Sequence, residues 1–416
     1  MADPVKFNVS AITIFGLTQV ASGTPVTQSA SDTSGTVSIA GAATTLAGVG
    51  TAFLSEVALH SYIYSNTGVL IGQVEAITSD TDITLSAAEA PLTAETFAVG
   101  LGPKNALAAL NLNYNTELTT ESYEYVGDEL SRDEEVVITD KFALLDFEIF
   151  MPARNAIGGT DPVEAEVPFA DWFQSAGMAV ILSSDSSGTI TYTNSLSTNE
   201  YMTIEFRRSS PDIATEKVYE LSDCRGTIDL DATVGTRAKL KFNYFGNIDD
   251  VVQKTTVVAD YQNQKSGSSG SLNSTTVQLS NLEVYDTDAI PIVGSTNFCF
   301  DKVIATNMDG FEYDRYQTSC LDGYSKQAIA TDVVCTILED SADAIYNPDD
   351  HLEDSHILTV DYGDLDAVTS LPIEGRQIRI QFEKLNLGTI TASEMAKYSS
   401  QDLNFRNVAF TSIILS

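Results

Sequence analysis

The chain has 416 residues and carries 22 Lys and Arg against 58 Asp and Glu, a formal net charge of −36 at pH 7. With 43% apolar and only 19% charged residues it is too rich in core-forming side chains for a disordered acidic tail. That charge excludes a protein that grips nucleic-acid phosphates, which needs clustered Lys and Arg, and it predicts a particle that repels DNA. No apolar run approaches the roughly 18 residues of a membrane-spanning helix, which points away from an integral membrane protein.

The length predicts two or three domains, each large enough to bury a core. Met1 to Lys6 makes a poor secretion signal, because the apolar stretch Ala11 to Leu17 behind its single Lys is short and interrupted. Cys224, Cys299, Cys320 and Cys335 show no CxxC pairing and sit in strand-like runs. Buried reduced thiols of a protein made in a cytoplasm are the expectation; a disulfide between two of them is the alternative.

Between Lys6 and Lys104 there is no Lys or Arg. Within that gap, residues 35–100 alternate short β-branched runs with Gly, Asn and Ser-Asp turns, the pattern of a small all-β module. We read it as an insertion that splits a first domain into residues 1–34 and 101–250.

The first domain is again mostly strands, with one helix. Phe169, Trp172, Phe173 and Ala176 fall at i, i+3, i+4 and i+7, a single apolar stripe, and they include the chain's only tryptophan. Pro168 suits the first turn and Gly177 the residue just past the end. The stripe predicts a helix packed on a sheet through Phe169, Trp172 and Phe173. Thr203 to Arg207, Ile228 to Ala232 and Ala238 to Tyr244 alternate apolar and polar residues, each with one dry and one wet face.

The densest acidic cluster, Gly127 to Glu135, lies between strand-like Thr119 to Val126 and Val136 to Glu148. A charged loop of about nine residues is long for a hairpin and predicts an arm that projects from the body. Asp128, Glu129, Arg132, Asp133, Glu134 and Glu135 are its candidate docking residues, with Arg132 supplying a directional ion pair to a neighbouring subunit. A solvated loop is the plainer alternative.

Residues 251–275 read as a linker, Ser- and Gly-rich over 262–275. Beyond it, 276–416 forms a second β domain whose best strands are Phe298 to Ile304, Ala328 to Leu338, Ile357 to Tyr362, Gln377 to Phe382 and Val408 to Leu415. Gly375 to Phe382 echoes Gly235 to Phe242, a Gly and an Arg ahead of an alternating basic strand ending in Phe, and so raises a fold repeated in the two halves.

Enzyme machinery is sparse. The chain has no GxSxG, no GxxxxGK[ST], no GxGxxG after a strand and no HExxH. His351 and His356 lie among Asp349, Asp350, Glu353 and Asp354, but their five-residue spacing aligns the rings on neither a helix nor a strand; a solvated acidic loop is expected, not a metal site. Asn307 to Gly310 lacks the ligand pattern of a calcium loop and reads as a turn. With 58 carboxylates no pair stands out as a glycosidase couple. The sequence therefore points to a protein without catalytic residues, metal or cofactor.

Glu117 to Glu135 followed by Asp140-Lys-Phe to Glu148 resembles the major tail tube proteins of long flexible-tailed (siphovirus-type) bacteriophages. The segment Pro168 to Gly177, Tyr192-Thr-Asn to Thr203-Ile-Glu, and Asp223-Cys-Arg-Gly to Gly246 are similar to the same family, as is the opening with Gly23-Thr-Pro-Val. The resemblance covers residues 1–34 and 101–250, and extends through Asp322-Gly-Tyr324 and Asn407 to Thr411 in the second half. The inserted module and the long acidic hairpin depart from the shortest members.

This resemblance implies an antiparallel β-sandwich or barrel with one packed helix. It further implies a virion protein, assembled in the host cytoplasm, whose stacked rings form a negatively lined channel for genome delivery, DNA passing without specific binding. Free sheet edges would pair with neighbouring subunits, and the implied partners are further copies, a tape measure protein and a tail terminator. Three protomers close a pseudo-sixfold ring if both halves carry the fold, six if only the first does; the strand content after residue 276 favours three. An acidic surface adhesin with a glycan-binding 35–100 module is the alternative, and a carboxylate hydrolase is a third.

Overall fold

The computed structural model describes residues 12–18, 35–53, 57, 62–65, 70–101, 105–126, 132–150, 169–182, 189–195, 200–208, 215–233, 236, 238–255, 259, 261, 277–285, 291–296, 300–313, 324–325, 331–338, 355–365, 372–395 and 398–415. These are mainly β, with all strand pairs antiparallel and one short helix.

After β1 (Ile12–Thr18), strands β2 (Thr36–Ile39), β3 (Ala43–Val49), β4 (Tyr62–Ser65), β5 (Leu70–Ser79), β6 (Asp82–Glu89), β7 (Leu92–Glu95) and β8 (Phe97–Val99) form their own seven-stranded sheet, in the order β7-β2-β3-β6-β5-β4-β8. Its two outermost strands are one piece of chain, parted only by Thr96. The first part pairs with β2 and the second with β4, so the sheet closes on itself as a small barrel. Ala94, with φ of 43°, lies just before that crossing. The interior is filled by Val37, Leu46, Phe53, Val74, Ile83, Leu85 and Phe97, with Phe53 and Phe97 edge to face at 5.6 Å.

The body begins with β9 (Ala106–Leu107), β10 (Leu110–Val126) and β11 (Arg132–Phe150). It continues with α1 (Ala170–Ser175), β12 (Met178–Leu182), β13 (Ile190–Asn194), β14 (Met202–Arg208), β15 (Thr215–Thr233) and β16 (Lys239–Thr255). Strands run β10-β11-β16-β15, and the lower part of β15 pairs with β14, which pairs with β1, which pairs with β9. Only Ala108 and Ala109 separate β9 from β10, so the same device of one strand serving two edges curls this half around its core.

The second half adds β17 (Val277–Tyr285), β18 (Pro291–Thr296), β19 (Phe300–Gly310), β20 (Glu312–Tyr313), β21 (Tyr324–Ser325), β22 (Thr331–Leu338), β23 (Ser355–Leu365), β24 (Pro372–Met395) and β25 (Tyr398–Leu415). The upper part of β15 pairs with β19, Leu230 opposite Ala305, and the sheet continues β19-β22-β25-β24-β23-β17-β18. One hydrophobic core spans the junction, from Phe147 and Phe242 to Val333, Phe382 and Phe405.

The echoed strands share a burial pattern: Leu240 and Phe242, like Ile380 and Phe382, are buried, while Lys241 and Arg379 are exposed. They run in opposite directions along the sheet, as the alternating antiparallel pairings between them require.

Helix α1 packs on the inner face of the sheet. Phe169, Trp172, Phe173 and Ala176 are all buried, and Trp172 meets Phe147, Phe242 and Tyr244 at centroid distances of 4.9, 5.8 and 5.1 Å. Gly177, at φ 94°, ends the helix and donates its N–H to the Gln174 carbonyl. Pro168 lies outside the described residues.

Three sequence expectations change. Residues 307–310, read as a turn, are the last part of β19, with Met308 buried. His356 is not in a solvated loop; it is a fully buried residue of β23 with its ring 5.3 Å from Phe405, whereas His351 lies outside the described residues. Residues 251–255, counted with the linker, are strand; 262–275 lies outside the described residues. In each case long-range pairing outweighed weak local propensity.

Candidate interaction surface

The acidic hairpin is longer and its loop shorter than the sequence suggested. Pairing runs from Leu110 opposite Glu148 to Val126 opposite Arg132, so Arg132, Asp133, Glu134 and Glu135 are strand residues, opposite Val126, Tyr125, Glu124 and Tyr123. Run together, those charges imitate a turn, but Tyr123, Tyr125 and Val126 across from them are strong strand formers. Asp128 and Glu129 lie outside the described residues, as does the side chain of Arg132.

Strand β11 pairs with β16 only from Phe142 to Phe150; among the described residues its part from Arg132 to Lys141 pairs with β10 alone. Beyond Phe142 and Asn247 the sheet therefore forks. One limb is this two-stranded ribbon, ten residues long on the β11 side at ~3.4 Å per residue, roughly 34 Å. The other is β16 from Ile248 to Thr255, paired with β15. A register shift between Thr119 and Thr120 sits at the fork, and bulges of that kind add twist. A two-stranded ribbon is marginal in water without further packing.

The body's second face is wet and runs across both halves. It carries Asp146, Glu148, Asp229, Asp231, Asp332, Glu383 and Asp402 against Lys239, Lys241, Lys302 and Arg379. Cross-strand contacts stitch it: Lys239 Nζ lies 3.3 Å from Glu148 Oε2, Asn243 Nδ2 donates to Asp229 Oδ2 at 3.1 Å, and Thr336 Oγ1 donates to Asp402 Oδ1 at 2.7 Å.

Other charges are buried for structural reasons. Arg207 Nη2 lies 2.5 Å from Glu205 Oε2 and Nη1 3.4 Å from Glu216 Oε2, while the guanidinium stacks 4.5 Å over Phe15; all three ionic side chains are at most 6% exposed. Arg225 is held between the rings of Tyr201 and Phe311, 3.6 and 4.3 Å away, and donates to the Glu200 carbonyl. Sequence reading missed both clusters, since nothing local marks a charged residue for burial. Cys224 and Cys335 are buried and in no disulfide among the described residues, the Cys224 thiol donating to the Ser222 carbonyl at 3.6 Å; Cys299 and Cys320 lie outside the described residues.

In the small barrel the two end strands are one piece of chain, as β9 and β10 are in the first half of the body; among the described residues β10 pairs with no strand but β11, β12 with none but β13 and β18 with none but β17. No protein-family model matches the chain, and no curated protein matches it.

Proposed function

We propose that the chain is the structural subunit of a phage tail tube of the siphovirus type, assembling into stacked rings around a channel that passes DNA without binding it. The observation that carries this reading is one sheet running through both halves, with an acid-weighted wet face and strand edges that stay unpaired among the described residues. A strand edge left open is a template for pairing with another chain, and closing a ring of such sheets removes every edge. Facing inward, the wet face would repel duplex phosphates. The ribbon beyond Phe142 would pack on a neighbouring copy. The chain itself would be a scaffold, not a catalyst, and three copies per ring is the stoichiometry we favour, with six as the alternative.

Negative-stain electron microscopy of the purified protein at high concentration and moderate salt tests this, the salt screening self-repulsion. Rings or tubes with a central hole are expected, and rotational averaging then separates three from six. Monodisperse monomers at every concentration count against it.

The closed barrel at residues 36–99 favours a second role for that module alone, a displayed binding unit such as a glycan-binding module. Specific binding by the isolated module on a glycan array would support it; silence would leave decoration.

A further inference from the structure

We infer that the free edge of β12 seats β10 of a second copy of this chain, an inference that rests on the self-assembly reading above. Among the described residues β12 pairs only with β13, in an unbroken register from Met178 opposite Asn194 to Leu182 opposite Ile190. Ile181 and Leu182 on it are 54% and 44% exposed, two of the four large exposed apolar side chains among the described residues. The strand, Met-Ala-Val-Ile-Leu, has no charge, no proline and no bulge, the devices by which soluble proteins block an apolar edge. An edge left in that state is covered in use.

The occupant follows from charge and facing. Every copy carries −36, so two copies approach most easily where neither presents carboxylates. Leu110 to Thr116 at the base of β10 is charge-free, and the shift at Asn111 leaves Asn113 to Thr116 as its regular part. Leu112 and Tyr114 there are half-buried against the core while Asn113 and Asn115 point to solvent. Strand β12 has the same arrangement, Met178 and Val180 on the core side and Ile181 outside. Joined edge to edge, the two strands would continue both the sheet and its dry face. Strand β18 is also charge-free, but it begins with Pro291 and shifts register twice against β17, both edge-blocking features. Because the two edges differ, the contact is head-to-tail and propagates into a ring or filament.

The test compares wild type with the double substitution Ile181→Lys and Leu182→Lys by sedimentation and electron microscopy, with Trp172 fluorescence reporting the fold. Loss of assembly with native fluorescence is expected. In case the double variant misfolds, Ile181→Cys protein is mixed under oxidation with Asn113→Cys or Asn115→Cys protein. A cross-linked dimer that forms only on mixing supports the pairing. Assembly of the lysine variant at the wild-type concentration, or absence of any mixed cross-link in assembled protein, overturns this pairing and leaves the tube reading standing. A wild type that never assembles overturns both.

Discussion

Gly16 on β1 exists in the space that the indole of Trp172 demands: a Cβ there would collide with both the indole and the Met202 methyl. The backbone of β1 and the helix stripe are therefore cut to one another. Gly16→Ala should overpack this site and cost about 1–3 kcal/mol. Urea unfolding followed by Trp172 emission checks it, and an unchanged midpoint would show that the helix can shift without penalty.

Tyr244 closes the same contact from the sheet, its hydroxyl donating to the Trp172 carbonyl and sharing a 2.9 Å hydrogen bond with Ser175 Oγ. Tyr244→Phe should cost about 1–3 kcal/mol, because it leaves buried polar groups short of a partner. Burial also pushes the Tyr244 hydroxyl above its ordinary 10.0 and the Cys335 thiol well above 9.0. The unfolded chain releases those protons first as pH rises, so above pH 9–10 the folded state holds more protons and stability falls. Below that window neither group contributes. Urea midpoints at neutral and alkaline pH should show the decline, and Tyr244→Phe should flatten its upper part.

Glu205→Ala removes the closest carboxylate from Arg207, a guanidinium side chain only 2% exposed. Arg207 keeps Glu216 at 3.4 Å but loses its shortest charge-assisted hydrogen bond in a buried site, so a loss of about 1.5–3 kcal/mol is expected. A thermal midpoint within error of wild type would mean that Glu216 and Phe15 suffice to hold the arginine.

Removing residues 120–139 and joining Thr119 to Asp140 through an Asn-Gly turn takes away the ribbon while keeping the part of β11 that pairs with β16. A folded monomer that no longer forms tubes is the expected outcome. Tubes from this variant would show that the ribbon is not the docking arm.

Residues 35–101 should fold alone, because their barrel closes its own edges and has its own apolar interior. Cooperative thermal unfolding of the isolated fragment checks this; a molten fragment would mean that the module depends on the body.

Much of the architecture was legible locally. Ala238 to Tyr244 alternates because successive strand residues point to opposite faces, and the structure buries Leu240, Phe242 and Tyr244 while leaving Lys241 exposed. Phe169, Trp172, Phe173 and Ala176 likewise recur at the helical period and are all buried. The acidic hairpin was legible as a hairpin but not in its extent, since Arg132 to Glu135 look like a loop until their partners Tyr123 to Val126 are known.

The sequence by itself determined strands, turns and the helix stripe, because periods of 2 and 3.6 residues express which side of a local segment must be dry. Only the tertiary structure decided that β15 joins the two halves through β19, that His356 and Arg207 are buried, and that one end strand, β7–β8, serves both edges of the small barrel. Those outcomes depend on which distant strand supplies the next row of hydrogen bonds. That choice is made by the sum of packing across the whole sheet and leaves no periodic mark in any one segment.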